Sequence, residues 1–356
     1  MCRYLDKLKT QGYFIIAEIG VNYYEIAEKY GISTLDAAKL MMKKAAENGA
    51  DAAKFQTYKA ESLVIEDSPG AWSREDIAVE TQYELFQLYD KFGVDEYKQL
   101  SEYGKEIGID FLSTPFDDES VEYLSEFMDA FKISSSDISN LPMIQKIAKY
   151  NKPIIISTGA SDLEEIRLAV DTIRKHNNQL LTLLHCVLEY PTPYEDANLL
   201  KIPSLIKEFP DAVIGFSDHT YPDQHMDVLK TAYNLGARVF EKHFTLDKTI
   251  KKKNDHFHSM DCDDLKVFKD GLEFIRKLYG KPDIVCLETE ITTRNSVRRS
   301  AITRRSFRKG EVLSEDMVIF KRPGGGITPI EIDNYYGRVF SHDIPADHKL
   351  TEDDFV

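Results

Sequence analysis

The feature that most constrains this chain is an eightfold alternation of a short apolar run with a longer amphipathic stretch, repeated from Phe14 to Thr245. The runs are Phe14–Ile19, Ala52–Thr57, Asp110–Thr114, Ala130–Ile133, Pro153–Ser157, Leu181–Cys186, Val213–Thr220 and Val239–Thr245. Each has the length and the β-branched or aromatic content of a buried strand. Apolar residues at helical spacing mark Thr34–Asn48, Val94–Ile107, Ser120–Phe127, Pro142–Tyr150, Leu163–Lys175, Leu199–Phe209 and Asp223–Leu235, with Asp263–Tyr279 after the last run. Eight strand-plus-helix units over about 250 residues predict an α/β fold, a (β/α)8 TIM barrel rather than an open doubly wound sheet.

Barrels of this kind carry their chemistry at the carboxyl ends of the strands. The polar residues there are Glu18, Lys54, Gln56, Ser113, Thr114, Lys132, Ser134, Ser135, Ser136, Asp137, Ser157, Thr158, His219 and His243. Two runs end in a histidine near a carboxylate, Asp218-His219 and Glu241-Lys242-His243. Neutral imidazole is the commonest side-chain ligand for divalent transition metals, with Asp218 and Glu241 available to orient the rings or a metal-bound water. The other reading is a pair of ordinary polar strand ends.

Lys54 and Lys132 each interrupt an apolar run, where an unpaired ammonium is costly. Their partner is either an anion, with the hydroxyls of Thr114, Ser135 and Ser157 completing a phosphate cradle, or a structural carboxylate such as Glu18 or Asp137. Asp255 follows the last strand in a loop that a barrel brings back over its mouth, within reach of a substrate hydroxyl. The Lys251–Lys253 run before it reads as a solvated face. Residues 61–82 read as a lid or a surface excursion.

A formal charge of −15 excludes nucleic acid and an anionic membrane as main partners, so an anionic substrate must meet a local basic site. The four cysteines follow no metal-finger spacing and suit free thiols in a reducing cytoplasm. The amino-terminal segment is too polar for a signal peptide and no apolar stretch has membrane-spanning length, so the expected location is cytoplasmic. Composition shifts near Gly280. The expected division is a barrel over 1–280, a polar linker over 281–296 and a small β-rich module over 297–356, punctuated by Gly and Pro.

The ordered motifs resemble the sialic acid synthase family of phosphoenolpyruvate-dependent nonulosonate synthases across nearly the whole chain. They are Ala17-Glu-Ile-Gly-Val-Asn22, Lys54-Phe-Gln-Thr57, Ser113-Thr-Pro-Phe116, Phe131-Lys-Ile-Ser-Ser135, Ser157-Thr-Gly159, His185-Cys186, Tyr190-Pro-Thr-Pro-Tyr-Glu-Asp196, Ser217-Asp-His-Thr220, Glu241-Lys-His-Phe-Thr245 and Asp255. The carboxyl module resembles the family's antifreeze-like (SAF) domain, through Lys309-Gly-Glu311 and Lys321-Arg-Pro-Gly324.

The resemblance implies condensation of phosphoenolpyruvate with the open-chain aldehyde of an N-acylated mannosamine-type sugar, giving a nine-carbon α-keto acid and phosphate. It implies a divalent metal, Mn2+ with Mg2+ or Co2+ as alternatives, on His219 and His243. Phosphoenolpyruvate contacts are carried over to Lys54, Thr114, Lys132, Ser135 and Ser157, and sugar contacts to Gln56, Tyr190, Asp255 and Asp137. Glu18 sits near the reacting centre, and a carboxylate, Glu18 or Asp137, would accept or relay the proton there. A domain-swapped homodimer is implied, with the SAF residue Arg322 reaching the partner's site.

Three positions depart from the family pattern. Asn22-Tyr-Tyr-Glu25 replaces Asn-His-x-Gly, Lys132-Ile-Ser-Ser-Ser-Asp137 replaces Lys-Ile-Gly-Ser-Gly-Glu, and Leu188 stands where a sialic acid synthase has asparagine. They fall on the sugar half of the site and point to a different acceptor, such as a 2,4-diacetamido-6-deoxy hexose leading to legionaminic or pseudaminic acid. The competing classes are another metal-dependent barrel aldolase or lyase, and a non-catalytic sugar-binding protein.

Overall fold

The computed structural model of the protein describes residues 2–70, 79–250 and 255–356, so the Lys251–Lys253 run and part of the 61–82 segment lie outside the described residues. The chain divides into two compact units, Met1–Leu278 and Tyr279–Val356.

In the first unit the eight expected strands are present: β1 Phe14–Gly20, β2 Ala52–Thr57, β3 Asp110–Pro115, β4 Phe131–Ile133, β5 Ile154–Ser157, β6 Leu181–Cys186, β7 Val213–Asp218 and β8 Val239–His243. All neighbouring pairs are parallel, in the order β3-β2-β1-β8-β7-β6-β5-β4. β3 and β4 lie side by side without a hydrogen-bonded ladder, so the sheet is a nearly closed (β/α)8 barrel.

The alternation of side chains along each strand explains how the barrel is filled. Phe14, Ile16, Ala52, Leu112, Ala130, Ile155, Leu184 and Val239 form one buried cluster with Tyr4. Two residues further along their strands, the same faces carry Glu18, Lys54, Thr114, Lys132, Ser157, Cys186 and Glu241. The interior therefore turns from apolar to ionisable as it approaches the carboxyl ends. The outward faces pack against the helices in a second, larger core. Gly215 on β7 is required by close approach: a Cβ there would stand 2.3 Å from the Val239 carbonyl oxygen and 2.5 Å from Leu184 Cδ2.

The helices between strands fall where the spacing placed them, with shifted ends. The expected Asp223 start moves to Asp227, because the Asp223 carboxylate accepts the backbone N–H groups of His225, Asp227 and Val228 from an irregular turn. Helices Arg3–Gln11, Tyr23–Tyr30 and Gln82–Tyr89 were not expected. The first closes the bottom of the barrel, where the Tyr4 hydroxyl bonds Thr182. The third packs Leu85 and Tyr89 on Tyr58 and Val21. Among the described residues no helix is long and apolar enough to cross a membrane. Cys2, Cys186, Cys262 and Cys286 are all free thiols.

The second unit has its own small core of Ala301, Phe307, Leu313, Val318, Ile327, Ile332, Phe340, Ile344, Leu350 and Phe355. An antiparallel pair, β9 Ser300–Thr303 and β10 Val318–Lys321, and several isolated bridges hold it. The stretch read as an irregular linker contains helix Ile291–Val297, and Gly324 N–H donates to the Asn295 carbonyl at 2.7 Å.

Candidate active site

At the carboxyl ends, one pocket is lined by Glu18, Lys54, Gln56, Thr114, Lys132, Ser135, Ser157, Tyr190, His219, Glu241 and His243, together with Phe116, Ser134, Cys186, Leu188 and Ser217. Eight strands thus bring together most of the residues singled out from sequence. Its volume is about 60 Å³, room for a few water molecules. A larger groove of about 470 Å³ opens elsewhere, at the amino ends of β2 and β3. It has no imidazole or hydroxyl, and its Arg3, Lys7 and Lys43 already pair with Asp110, Asp51 and Glu47.

The floor of the pocket is a buried network of two ammonium groups and two carboxylates. Lys54 Nζ lies 2.5 Å from Glu18 Oε2 and 3.8 Å from Glu241 Oε2, and it donates to Thr114 Oγ1 at 3.2 Å. Lys132 Nζ lies 3.6 Å from Glu241 Oε1 and donates to Ser157 Oγ at 2.8 Å. Both readings of the lysines therefore hold in part: they have carboxylate partners and they also face the pocket hydroxyls. Burial pushes the Glu18 carboxyl above its ordinary range, opposed by Lys54. Burial pushes Lys132 down, opposed by Glu241. Burial also works against the Lys54 charge, but Glu18 and Glu241 outweigh it and raise that group.

Two assignments need correction. Glu241 orients no imidazole: it shares the inward face of β8 with His243, accepts from Ser217 Oγ at 3.1 Å and balances the lysines. Asp218 orients no ring either. Its carboxylate faces the other way, taking Lys242 Nζ at 2.7 Å and the Thr220 N–H at 2.8 Å.

His219 and His243 approach with ring centroids 5.5 Å apart. His219 Nδ1 is 2.8 Å from the Val187 carbonyl; because a carbonyl only accepts, Nδ1 carries the hydrogen and Nε2 is left with its lone pair. His243 Nδ1 is buried with no hydrogen-bond partner and stands 3.5 Å from Asp255 Oδ2. Burial, reinforced by His219 and Lys54, drives His243 well below its ordinary pKa and keeps it neutral. Burial works against a charge on His219, but the Cys186 side chain and the Val187 carbonyl outweigh it and raise that group above its ordinary pKa, so a metal there would displace its proton. With the neutral His243, the pair fits a divalent transition metal. Among the described residues no three His, Cys, Asp or Glu groups form a ready ligand set.

The other expected residues are less uniform. Ser135 Oγ accepts the Gly159 N–H at 2.9 Å and fixes the turn after β4. The Tyr190 ring lies 4.1 Å from that of His219, and Gln56 Nε2 donates to Glu18 Oε1 at 3.0 Å. Asp137 sits half-buried in the turn Ser135–Asp137, accepting from Ser136 Oγ at 3.2 Å, and does not line the pocket. Ser113 and Thr158 turn away, to Thr57 and the Leu184 carbonyl, and Ser136 is exposed. Arg322 is an exposed residue of the second unit. Sequence reasoning missed His258: it is fully buried, and its ring centroid lies 4.9 Å from that of His243.

Fold and site together define a barrel protein with a charged, hydroxyl-lined pocket beside two ligand-ready imidazoles. The chain belongs to the NeuB family, the sialic-acid-type nonulosonate synthases, matching it over residues 41–283 and the SAF domain over 298–356. It is 38% identical to N,N'-diacetyllegionaminic acid synthase of Legionella pneumophila, over 94% of this chain and 92% of that one. It is 36% identical to the synthase of the same name from Campylobacter jejuni, over 95% and 98%. Among solved structures, spore coat polysaccharide biosynthesis protein SpsE of Bacillus subtilis is 33% identical over 97% and 95%, with a TM-score of 0.62.

Proposed function

We propose that this protein condenses phosphoenolpyruvate with the open-chain aldehyde of an N-acylated hexosamine-type sugar, releasing phosphate by C–O cleavage and forming a nine-carbon α-keto acid. The observation that carries this reading is the placement of Lys54 and Lys132, both buried, each within reach of a pocket hydroxyl and beside the two imidazoles. An acidic protein that buries two ammonium groups at one strand-end layer is equipped for a small polyanion. Membership of a synthase family supports the reaction class.

In this scheme Lys132 with Ser157, and Lys54 with Thr114, take the phosphate and carboxylate of phosphoenolpyruvate, which displace part of the hold of Glu18 and Glu241 on the lysines. A divalent cation on His219 and His243, Mn2+ or alternatively Mg2+ or Co2+, would supply Lewis-acid polarisation of the aldehyde oxygen. As the bond forms from C3 of phosphoenolpyruvate to the aldehyde carbon, the carbonyl π pair moves onto the aldehyde oxygen and C2 becomes cationic, and water then adds at C2. Glu18, the raised carboxyl on the pocket floor, takes one proton from that water and passes it to the new alkoxide; phosphate leaves with the electrons of the C2–O bond as the C2 hydroxyl gives up its remaining proton to become the keto group. Asp137 lies off the pocket, so this role falls to Glu18. Holding both substrates in attack geometry contributes several kcal/mol, on the order of 7–11 at best.

The acceptor occupies the rim made by Gln56, Leu188, Tyr190 and Asp255. An exposed, apolar Leu188 suits an acceptor with a methyl or acetamido group there, as a 2,4-diacetamido-6-deoxy hexose has, and the legionaminic acid synthases among its relatives favour that choice. The enzyme acts as a domain-swapped homodimer in which Arg322 completes the partner's sugar site.

The test is a panel of N-acylated hexosamines with phosphoenolpyruvate and Mn2+, reading phosphate and product mass. Phosphate release that requires both substrates supports the proposal. Release from no acceptor, or turnover of a sugar acid without phosphoenolpyruvate, rejects it.

A further inference from the structure

We infer that His258 is a third imidazole donor to the cation proposed at His219 and His243, making this a three-histidine centre rather than a two-histidine one. The inference rests on the metal reading above. It starts from a contrast within one short turn, His256–His258. His256 is a satisfied core residue: Nδ1 lies 2.6 Å from Thr245 Oγ1 and Nε2 lies 3.4 Å from Glu25 Oε2. His258 is equally buried, yet neither of its ring nitrogens has a hydrogen-bond partner. A buried imidazole with two idle nitrogens is costly unless something else meets one of them.

The neighbours of His258 are the two proposed ligands. Its ring centroid lies 4.9 Å from that of His243 and 6.3 Å from that of His219, and the first two rings are 5.5 Å apart. Imidazoles bound to one cation through nitrogen at about 2.1 Å stand with centroids about 4.6–5.6 Å apart at ligand angles of about 90–120°. The two separations from His243 fall in that interval, and the His219–His258 separation of 6.3 Å closes to it only when the His258 ring turns inward. In the present rotamers the three rings do not form a closed ligand set. Turning the His258 ring toward the others breaks no hydrogen bond, since it makes none.

The backbone that carries His258 is held in place. Asn22 Oδ1 accepts the Asp255 N–H at 3.2 Å, while its Nδ2 donates to the Phe244 carbonyl at 3.1 Å and to Ser259 Oγ at 3.3 Å. Ser259 Oγ donates to the Asp255 carbonyl at 2.6 Å. Met260 N–H donates to the His243 carbonyl at 2.8 Å, and Thr245 N–H to the Met260 carbonyl at 3.0 Å. One residue after β1 and the end of β8 thus fix the turn on both sides of His258. A third nitrogen donor favours later first-row ions such as Co2+ and Zn2+ over Mn2+ and Mg2+.

The experiment uses the metal-stripped full-length protein titrated with Co2+. Proton NMR of the loaded protein counts hyperfine-shifted, exchangeable imidazole N–H signals, and the visible spectrum reports coordination. Expected are three such signals in the wild type and two in His258→Gln, with Co2+ binding at least about tenfold weaker in His258→Gln and in His258→Ala. Two signals in the wild type, with unchanged affinity and spectrum in both variants while His219→Ala loses binding, would overturn the third donor and leave the two-histidine site standing. Co2+ binding unaffected by His219→Ala as well would remove the metal reading itself. Circular dichroism of each variant separates loss of the site from loss of the fold, and the wild-type signal count decides the question even if a variant does not fold.

Discussion

Lys242 Nζ lies 2.7 Å from Asp218 Oδ2, with both side chains sealed from water. The pair joins β7 to β8 one residue before each proposed metal ligand, and Lys242 also donates to the Thr220 carbonyl at 2.6 Å. It adds a side-chain tie to the backbone pairing of the two strand ends that carry His219 and His243.

Removing one partner strands a buried charge, so Lys242→Met should cost about 3–5 kcal/mol of stability. Asp218→Asn combined with Lys242→Met should regain most of that loss, yet bind the metal more weakly than wild type because the strand ends are no longer tied. Denaturant unfolding and metal titration of the three proteins check this; a double variant with wild-type metal affinity would show that the pair serves stability alone.

Glu241 is the counter-ion of a lysine whose charge burial opposes. Glu241→Gln removes the main support for protonated Lys132, lowering that group further. A lysine binds an anion only while protonated, so affinity is lost as pH rises through its pKa. The KM for phosphoenolpyruvate in Glu241→Gln should therefore climb at a lower pH than in wild type. Coincident pH profiles would refute the role given to Glu241.

His243 and His258 are held neutral by burial, His258 at a pKa of about 2. Their folded values lie below the unfolded value of about 6.5, so below that pH the unfolded chain binds more protons and stability falls. The loss is about 1.4 kcal/mol per pH unit for each group. Metal-free wild type should lose more stability between pH 7.5 and 5.5 than His258→Phe, by about 1–1.5 kcal/mol. Urea midpoints at the two pH values measure it, and equal losses would contradict the burial argument.

Arg322→Ala should raise the KM of the acceptor more than that of phosphoenolpyruvate, since Arg322 is assigned to the sugar end. Mixing Arg322→Ala with His219→Ala protein should restore activity if the dimer is swapped, because one site then has both residues intact. No recovery after subunit exchange would count against the swap.

Most of the barrel was legible because its period is simple. The same period of two held information that was passed over: Glu241 and His243 share a face, which sends Glu241 to the lysines and leaves Lys242 for Asp218 on the other side. Asp137, collected at a strand end and given its role by the family resemblance, lies in a tight turn where that alternation no longer applies. His258 had no local signature at all. Its direction is set by Asn22, more than two hundred residues earlier, through contacts that no spacing rule expresses. The short helix Tyr23–Tyr30 was hidden by its length and by a stop at Gly31, whose φ of 63° closes it.

The central claim is that phosphate leaves only when an acceptor aldehyde is joined to phosphoenolpyruvate, with the break at C2–O. Phosphoenolpyruvate labelled with 18O in its bridging oxygen tests this in one mass spectrum of the released phosphate. The account predicts labelled phosphate in the presence of an N-acylated hexosamine and none in its absence. Unlabelled phosphate, or release that ignores the acceptor, would contradict it.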